Sequence, residues 1–187
     1  MKIKSIGANR LIIPFKVPFK HASAVRAATE TIWVKITSID GVVGFGEGCP
    51  RLYVTQENFD SSEKFIAAHL KDWCENLHDL TSLKEWVQKH NVDIDAHPSA
   101  WAAVEIALLD LLGKKQHCSV ESLLGFSELS GHFYYTAVMG DAPIEAFKVQ
   151  LAAYQHAGFL DFKIKLSGNL ARDLEKIHAL KAVGRAR

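Results

Sequence analysis

The chain has 187 residues, enough for one well-packed domain or a small domain and part of a second. Hydrophobic residues make up 48% and charged residues 23%, a globular rather than disordered balance. Lys+Arg 22 against Asp+Glu 21, with no basic run, excludes nucleic acid and anionic membrane surfaces as partners. Charge interrupts every apolar stretch well before the length of a membrane span, and Met1-Lys2-Ile3-Lys4 lacks the apolar core of a secretory signal. Cys49, Cys74 and Cys118 are odd in number and widely spaced, which speaks against a disulfide framework or a zinc site and for a reducing cytoplasm.

The first fifty residues read as strands. Residues 2 to 13 form a first strand, and Thr31-Ile32-Trp33-Val34-Lys35-Ile36-Thr37 is rich in β-branched and aromatic types. Asp40-Gly41 is a hairpin turn signal ahead of Val42 to Glu47. Pro18 to Thr29 is polar and small-residue rich, too long for a tight turn, and reads as a loop. Residues 57 to 113 are helical: Glu57 to Leu77, a short helix to Val87 capped by Thr81 or Ser82, and a strong helix from Ser99 to a stop at Gly113. A brief helix over Val120 to Leu124 ends at Gly125.

From Gly131 the rhythm changes. His132 to Met139 reads as a strand, Pro143 to His156 as a helix, Asp161 to Leu166 as a strand and Asn169 to Val183 as a helix. Strand and helix in alternation with short links is the grammar of parallel βαβ units. The fold class is therefore an α+β domain over 1–130 followed by an incomplete α/β segment over 131–187, since two βα units cannot close a barrel.

Chemistry concentrates in Phe162-Lys163-Ile164-Lys165-Leu166. Side chains alternate faces along a strand, so Lys163 and Lys165 emerge together while the apolar residues point away. Two like charges held close disfavour each other's protonation, and a lysine tuned in that way takes a proton from carbon near neutral pH. Pattern alone also fits a solvated strand face. Glu47, Glu105 and Asp110 do not assemble as metal ligands, because Glu105 and Asp110 lie five apart on one helix and do not share a face. Gly44-Phe45-Gly46-Glu47-Gly48 is a glycine-bearing strand rather than a phosphate loop, since no helix start follows it. The nine histidines, His21 among them, are scattered without ligand spacing and read as packing or surface residues. The four tryptophans read as core.

Four segments taken together resemble the enolase superfamily, in its muconate-lactonizing and dipeptide-epimerase (L-Ala-D/L-Glu epimerase-like) subgroup. Pro18-Phe19-Lys20, Thr29-Glu30 and the strand after it are similar to the first hairpin and its covering loop. Gly44-Phe45-Gly46-Glu47 with Pro50 and Tyr53-Val54-Thr55 resembles the next strand and a second covering loop. Ser99 to Asp110 resembles the long helix of the capping domain, and Lys163-Ile164-Lys165 the Lys-x-Lys motif of the second barrel strand.

The resemblance implies a capping domain, a modified (β/α) barrel, and proton abstraction beside a carboxylate to give an enediolate stabilised by Mg²⁺. Lys165 would be the acid/base, and Lys163 its tuning neighbour and a stabiliser of developing charge. Arg26 would meet a substrate carboxylate bidentately or stand as a solvent-exposed loop arginine. Tyr53 and Thr55 would be covering-loop specificity residues or ordinary loop residues, and Thr136, near the end of the first barrel strand, would lie where barrel active sites gather. The substrate class is a small carboxylate, a dipeptide or N-acyl amino acid, with a homo-oligomer as a possible assembly. Muconate cycloisomerase and o-succinylbenzoate synthase use a similar lysine arrangement, and a non-catalytic binding or assembly module is the reading outside enzymology. The family's metal-binding carboxylates come from later strands, and Ala186-Arg187 falls about where the first of these should begin. A truncated chain that neither binds Mg²⁺ at that site nor racemises by itself is the expectation.

Overall fold

A computed structural model describes residues 1–21 and 24–183. The chain folds as two compact units: Met1–Ile13 with Thr29–Leu129, and Pro14–Ala28 with the segment from Ser130 onward.

In the first unit, β1 (Ile3–Leu11), β4 (Thr31–Ser38) and β5 (Val43–Gly48) form an antiparallel sheet of order β1-β4-β5. The register runs Ile6 to Ile36 and Ala8 to Val34 on one side of β4, and Val34 to Gly46 on the other. β-Branched residues on one face of β4 make the sheet's contribution to the core, with Ile32, Val34 and Ile36 fully buried. The hairpin turn at Asp40-Gly41 forms as the sequence predicts, with Gly41 in the left-handed region and Ser38 O accepting from its N–H at 3.0 Å. The Lys115 ammonium at 2.5 Å and the Ser38 hydroxyl hold the Asp40 carboxyl down at about 2.

Helices α1 (Phe59–Asn76), α2 (Leu80–Lys89), α3 (Asn91–Ala96), α4 (Pro98–Gln116) and α5 (Val120–Leu124) complete the unit. Asn58 and Ser61 form a capping box at α1, and Asp79 and Ser82 form one at α2, so the cap of α2 is Asp79 rather than Thr81 or Ser82. Helix α3 has no counterpart among the elements the sequence predicts. Helix α4 buries a broad face from Ser99 through Gly113, with Ile106 exposed on the opposite side. Its N-cap, His97, makes no side-chain cap bond. Glu57 supplies one from a distance: its buried carboxylate accepts from Ser99 N at 2.8 Å and Ala100 N at 3.0 Å. A charged acceptor at the positive end of the helix satisfies two orphan donors and its own buried oxygens together. Glu57 therefore sits ahead of α1 as a tether, not within a helix beginning at 57 as the periodicity suggests.

Strand β5 lies directly on α4. A Cβ built on Gly44, Gly46 or Gly48 would come within 2.2, 2.0 and 2.0 Å of the carbonyl oxygens of Ala107, Ala103 and Ser99. These glycines are spacing devices for backbone-to-backbone packing, which fits the reading of this stretch as a strand. As the edge strand, β5 leaves the Phe45 N–H without a sheet partner, and Asp110 of α4 accepts it at 2.8 Å. Asp110 also pairs with Lys114 at 2.6 Å, so its carboxylate is committed to structure.

The second unit holds β2 (Pro14–His21) and β3 (Ala24–Ala28), paired antiparallel, and the parallel pair β6 (Thr136–Met139) and β7 (Asp161–Ile164), with α6 (Ile144–His156) and α7 (Leu170–Lys181). The segment Pro18 to Thr29 is thus largely strand among the described residues and not a loop. Two prolines in β2 disguise it, and a two-stranded ribbon tolerates them because one edge needs no donors. Strand β6 is shorter than the sequence suggests, with 132–135 irregular. Met139, Phe147 and Leu151 are buried between this sheet and its helices, with Phe162 and Ile164 packed on them.

Gly46→Ala should lower stability by roughly 1–3 kcal/mol in thermal or urea denaturation, because its methyl must displace backbone rather than a mobile side chain. Gly7→Ala, where a Cβ meets nothing within 4 Å, should stay near wild type.

Candidate active site

Parallel register aligns Thr136 with Asp161, Ala137 with Phe162, Val138 with Lys163 and Met139 with Ile164. Alternation then separates two faces. Ala137 and Met139 are buried, and Phe162 and Ile164 join them against the helices. Lys163 is exposed on the other face, beside Val138, and Lys165 follows just beyond the last residue of β7. The backbone of Lys165 is still held by the ladder, its N–H donating to Met139 O at 2.9 Å. Lys163 thus faces away from the helices, and period two continued one residue past the strand would bring Lys165 to the same side, at the carboxyl end of the strand pair.

The turn after this strand is fixed by one side chain. Asp173, buried on α7, accepts from Ser167 N at 2.9 Å, Ser167 Oγ at 2.8 Å and Gly168 N at 3.1 Å. Gly168 takes a positive φ of 82° there, and Asn169 caps α7 through Arg172 N. A second anchor is the ion pair of Lys176 with Asp141 at 2.5 Å, both nearly inaccessible, with Arg172 on the same oxygen at 3.1 Å. Paired in this way, neither buried charge is left uncompensated. Sequence reasoning misses both anchors, because only the fold reveals that Asp141 and Lys176 meet across 35 residues.

Residues 7–125 match the family described as mandelate racemase / muconate lactonizing enzyme, N-terminal domain. The chain belongs to this family. It lies within the enolase superfamily, and its strands and helices fit a capping domain followed by a partial α/β segment. The chain is 28% identical over 181 residues to the N-succinyl-L-Arg/Lys racemase of Bacillus cereus, covering 97% of this chain and 48% of that protein. It is 32% identical over 200 residues to the L-Ala-D/L-Glu epimerase of Bacillus subtilis, covering 100% of this chain and 50% of that one. A dipeptide epimerase from Methylococcus capsulatus, solved with Mg and the dipeptide L-Arg-D-Lys, superposes with a TM-score of 0.84 at 24% identity, covering 100% of this chain and 52% of that one. The chain thus spans about half the length of the curated relatives it matches.

The six candidate site residues divide between the two units. Lys163 is exposed on β7, and Lys165 follows one residue past its end. Arg26 lies in the same unit, on β3 opposite Phe19, with its guanidinium 5.8 Å from the centre of the Phe15 ring. Thr136 is exposed and opens β6 opposite Asp161, at the other end of this sheet from Lys165. Tyr53 and Thr55 lie in the first unit, between β5 and α1. Thr55 closes a turn, its N–H donating to Arg51 O at 2.9 Å. Tyr53 lines a cavity of about 240 Å³ with Glu30, Arg51, Leu52 and Phe59. The side chain of His21, like Ala186 and Arg187, lies outside the described residues.

Mg²⁺ is a hard cation that needs oxygen ligands in near-octahedral array. The lysine face does not fit it: its two functional groups are cationic, Asp141 is engaged by Lys176 and Arg172, and Asp173 by the Ser167 turn. The lysine-bearing strand therefore does not fit that ion among the described residues.

Bonds from the Ser167 backbone, then its hydroxyl and the Gly168 N–H, hold the Asp173 carboxyl below its ordinary range. Its native value is depressed, so its stabilising effect is complete above the unfolded value near 4 and is lost as pH falls through the native one. Asp173→Asn should flatten the acid limb of a stability–pH curve below about pH 4 and leave pH 6 to 8 parallel to wild type.

Proposed function

We propose that this chain contributes the capping domain and the lysine half of a proton-transfer site in an enzyme that racemises or epimerises a carbon next to a carboxylate. The observation that supports this reading is the exposed Lys163 on β7, with Lys165 two residues on and its backbone still bonded to Met139. Lys165 acts as acid/base on the substrate carbon. Lys163, two residues back on the same face, adds positive charge where the enolate oxygens develop theirs. A proton beside a carboxylate is barely acidic, so fixed positive charge close to the reacting carbon is what the reaction requires. Mg²⁺ would supply the rest of that charge in the whole protein, from carboxylates other than those described.

The substrate class is a dipeptide or N-acyl amino acid, supported by the racemase and epimerase relatives, with Arg26 meeting an anionic part of the substrate. Cycloisomerisation, as in the muconate-lactonizing branch of the family name, draws on the same lysine pair. No helix among the described residues is long and apolar enough to cross a membrane, and we place the enzyme in the cytoplasm on its cysteine usage.

Chiral chromatography of the whole protein with Mg²⁺ against L,L-dipeptides and N-succinyl amino acids tests this. Epimerisation of at least one class, falling roughly 10²–10⁴-fold in Lys165→Ala, is expected. The 187-residue chain alone should turn over none of them. Retention of full activity by Lys165→Ala would remove the proposed base.

A further inference from the structure

Three groups that look unrelated in sequence converge in the first unit. His69 comes from α1, His90 from the junction of α2 and α3, and Asp93 from the first turn of α3. One potential donor atom from each lies within 4.8 Å of the others. Asp93 Oδ2 is 3.4 Å from His90 Nδ1 and 3.9 Å from His69 Nε2. Zinc bonds of about 2.0–2.1 Å in a tetrahedron put ligand atoms roughly 3.4 Å apart, so small side-chain adjustments would close the set.

The surroundings hold the rings in place. His90 stacks on Trp86, with centroids 4.3 Å apart and planes at 15°, and His69 stands edge-on to both at 5.3 and 5.2 Å. Trp86 is itself fixed by Nε1 donating to Asp72 Oδ2 at 2.6 Å. His97 Nδ1 lies 3.1 Å from Asp93 O and fastens α3 at its far end. Such outer contacts are what orient imidazole ligands.

Hydrogen bonding does not account for the cluster. His90 Nε2 is buried without a hydrogen-bond partner. With the proton on Nε2, the Nδ1 lone pair faces the Asp93 carboxylate. With the proton on Nδ1, Nε2 is a buried acceptor with nothing to accept, and the contact to Asp93 is long for a charge-assisted bond. A cation between His90 Nδ1, His69 Nε2 and Asp93 Oδ2 replaces the repulsion of the Nδ1 lone pair and the carboxylate with two bonds, while His90 Nε2–H stays without a partner. Asp93 is 55% exposed, which leaves a path for an ion and room for water as a fourth ligand.

We propose that His69, His90 and Asp93 form a binding site for a first-row divalent transition ion of the Zn²⁺ type, which clips α1 to the α2–α3 junction. Two imidazoles and one carboxylate suit zinc and exclude Mg²⁺ by ligand preference.

The test uses the whole chain, freed of metal with a chelator and titrated with Zn²⁺ by calorimetry, and with Co²⁺ by visible absorption. One Zn²⁺ per chain, a Co²⁺ spectrum of tetrahedral intensity and a rise in melting temperature are expected. Asp93→Asn, whose side chain is exposed enough not to threaten folding, should weaken Zn²⁺ at least about 10-fold, as should His69→Gln. His156→Gln, a solvent-exposed histidine on α6, should bind as wild type. Absence of Zn²⁺ binding and of the Co²⁺ band in the wild type would overturn the site, and so would wild-type affinity in Asp93→Asn.

Discussion

The capping unit depends on the approach of β5 to α4. Where Gly44, Gly46 and Gly48 face Ala107, Ala103 and Ser99, no side chain intervenes, and an edge strand rests on helix backbone. Dispersion between close-packed backbones falls steeply with separation, so this contact tolerates almost no added volume. Its position fixes others. Asp110 reaches the Phe45 N–H only because α4 lies this close, and Lys114 reaches Val43 O for the same reason. Glu57 then secures the N-terminal end of the same helix. Helix α4 is thus tied to the sheet along its length and capped by a residue from outside it.

The second unit obeys a different constraint. Its short strands are two-faced: Ala137, Met139, Phe162 and Ile164 turn to the helices, and Lys163 turns away. Lysine on a strand buried on both faces would be prohibitively costly, whereas on an open face it is available for chemistry. The anchors Asp173 and Asp141–Lys176 lie at the same carboxyl end and stiffen the turns that follow the strands. Preorganisation of that kind is what lets a charged side chain act on substrate rather than wander.

Much of this is legible in the sequence, for definable reasons. Period-two alternation in 162–166 separates Lys163 from Phe162 and Ile164 as the strand does, and the apolar periodicity of 99–112 leads to α4. The glycines of β5 read as a strand feature, although their distance to α4 does not show. What the sequence hides is non-local. Glu57 looks like the start of a helix until Ser99 and Ala100 are seen to need an acceptor. Strands β2 and β3 are masked by Pro14 and Pro18, and α3 by its brevity. His69 and His90–Asp93 sit on different helices, and they carry no local motif beyond His90-x-x-Asp93, a spacing too common to weigh. Placing Thr136 near the end of its strand assumes a longer β6, whereas the strand begins at that residue.

The central claim is that the lysine face of β7 moves a proton to and from carbon. Solvent exchange reports this without requiring net turnover. The whole protein, incubated in D₂O with a dipeptide or N-succinyl amino acid, should wash deuterium into the carbon next to the carboxylate, as read by proton NMR. Lys165→Ala should abolish the wash-in, while Arg26→Ala should slow it only through weaker binding. Wash-in that persists in the Lys163→Ala, Lys165→Ala double variant would contradict the account.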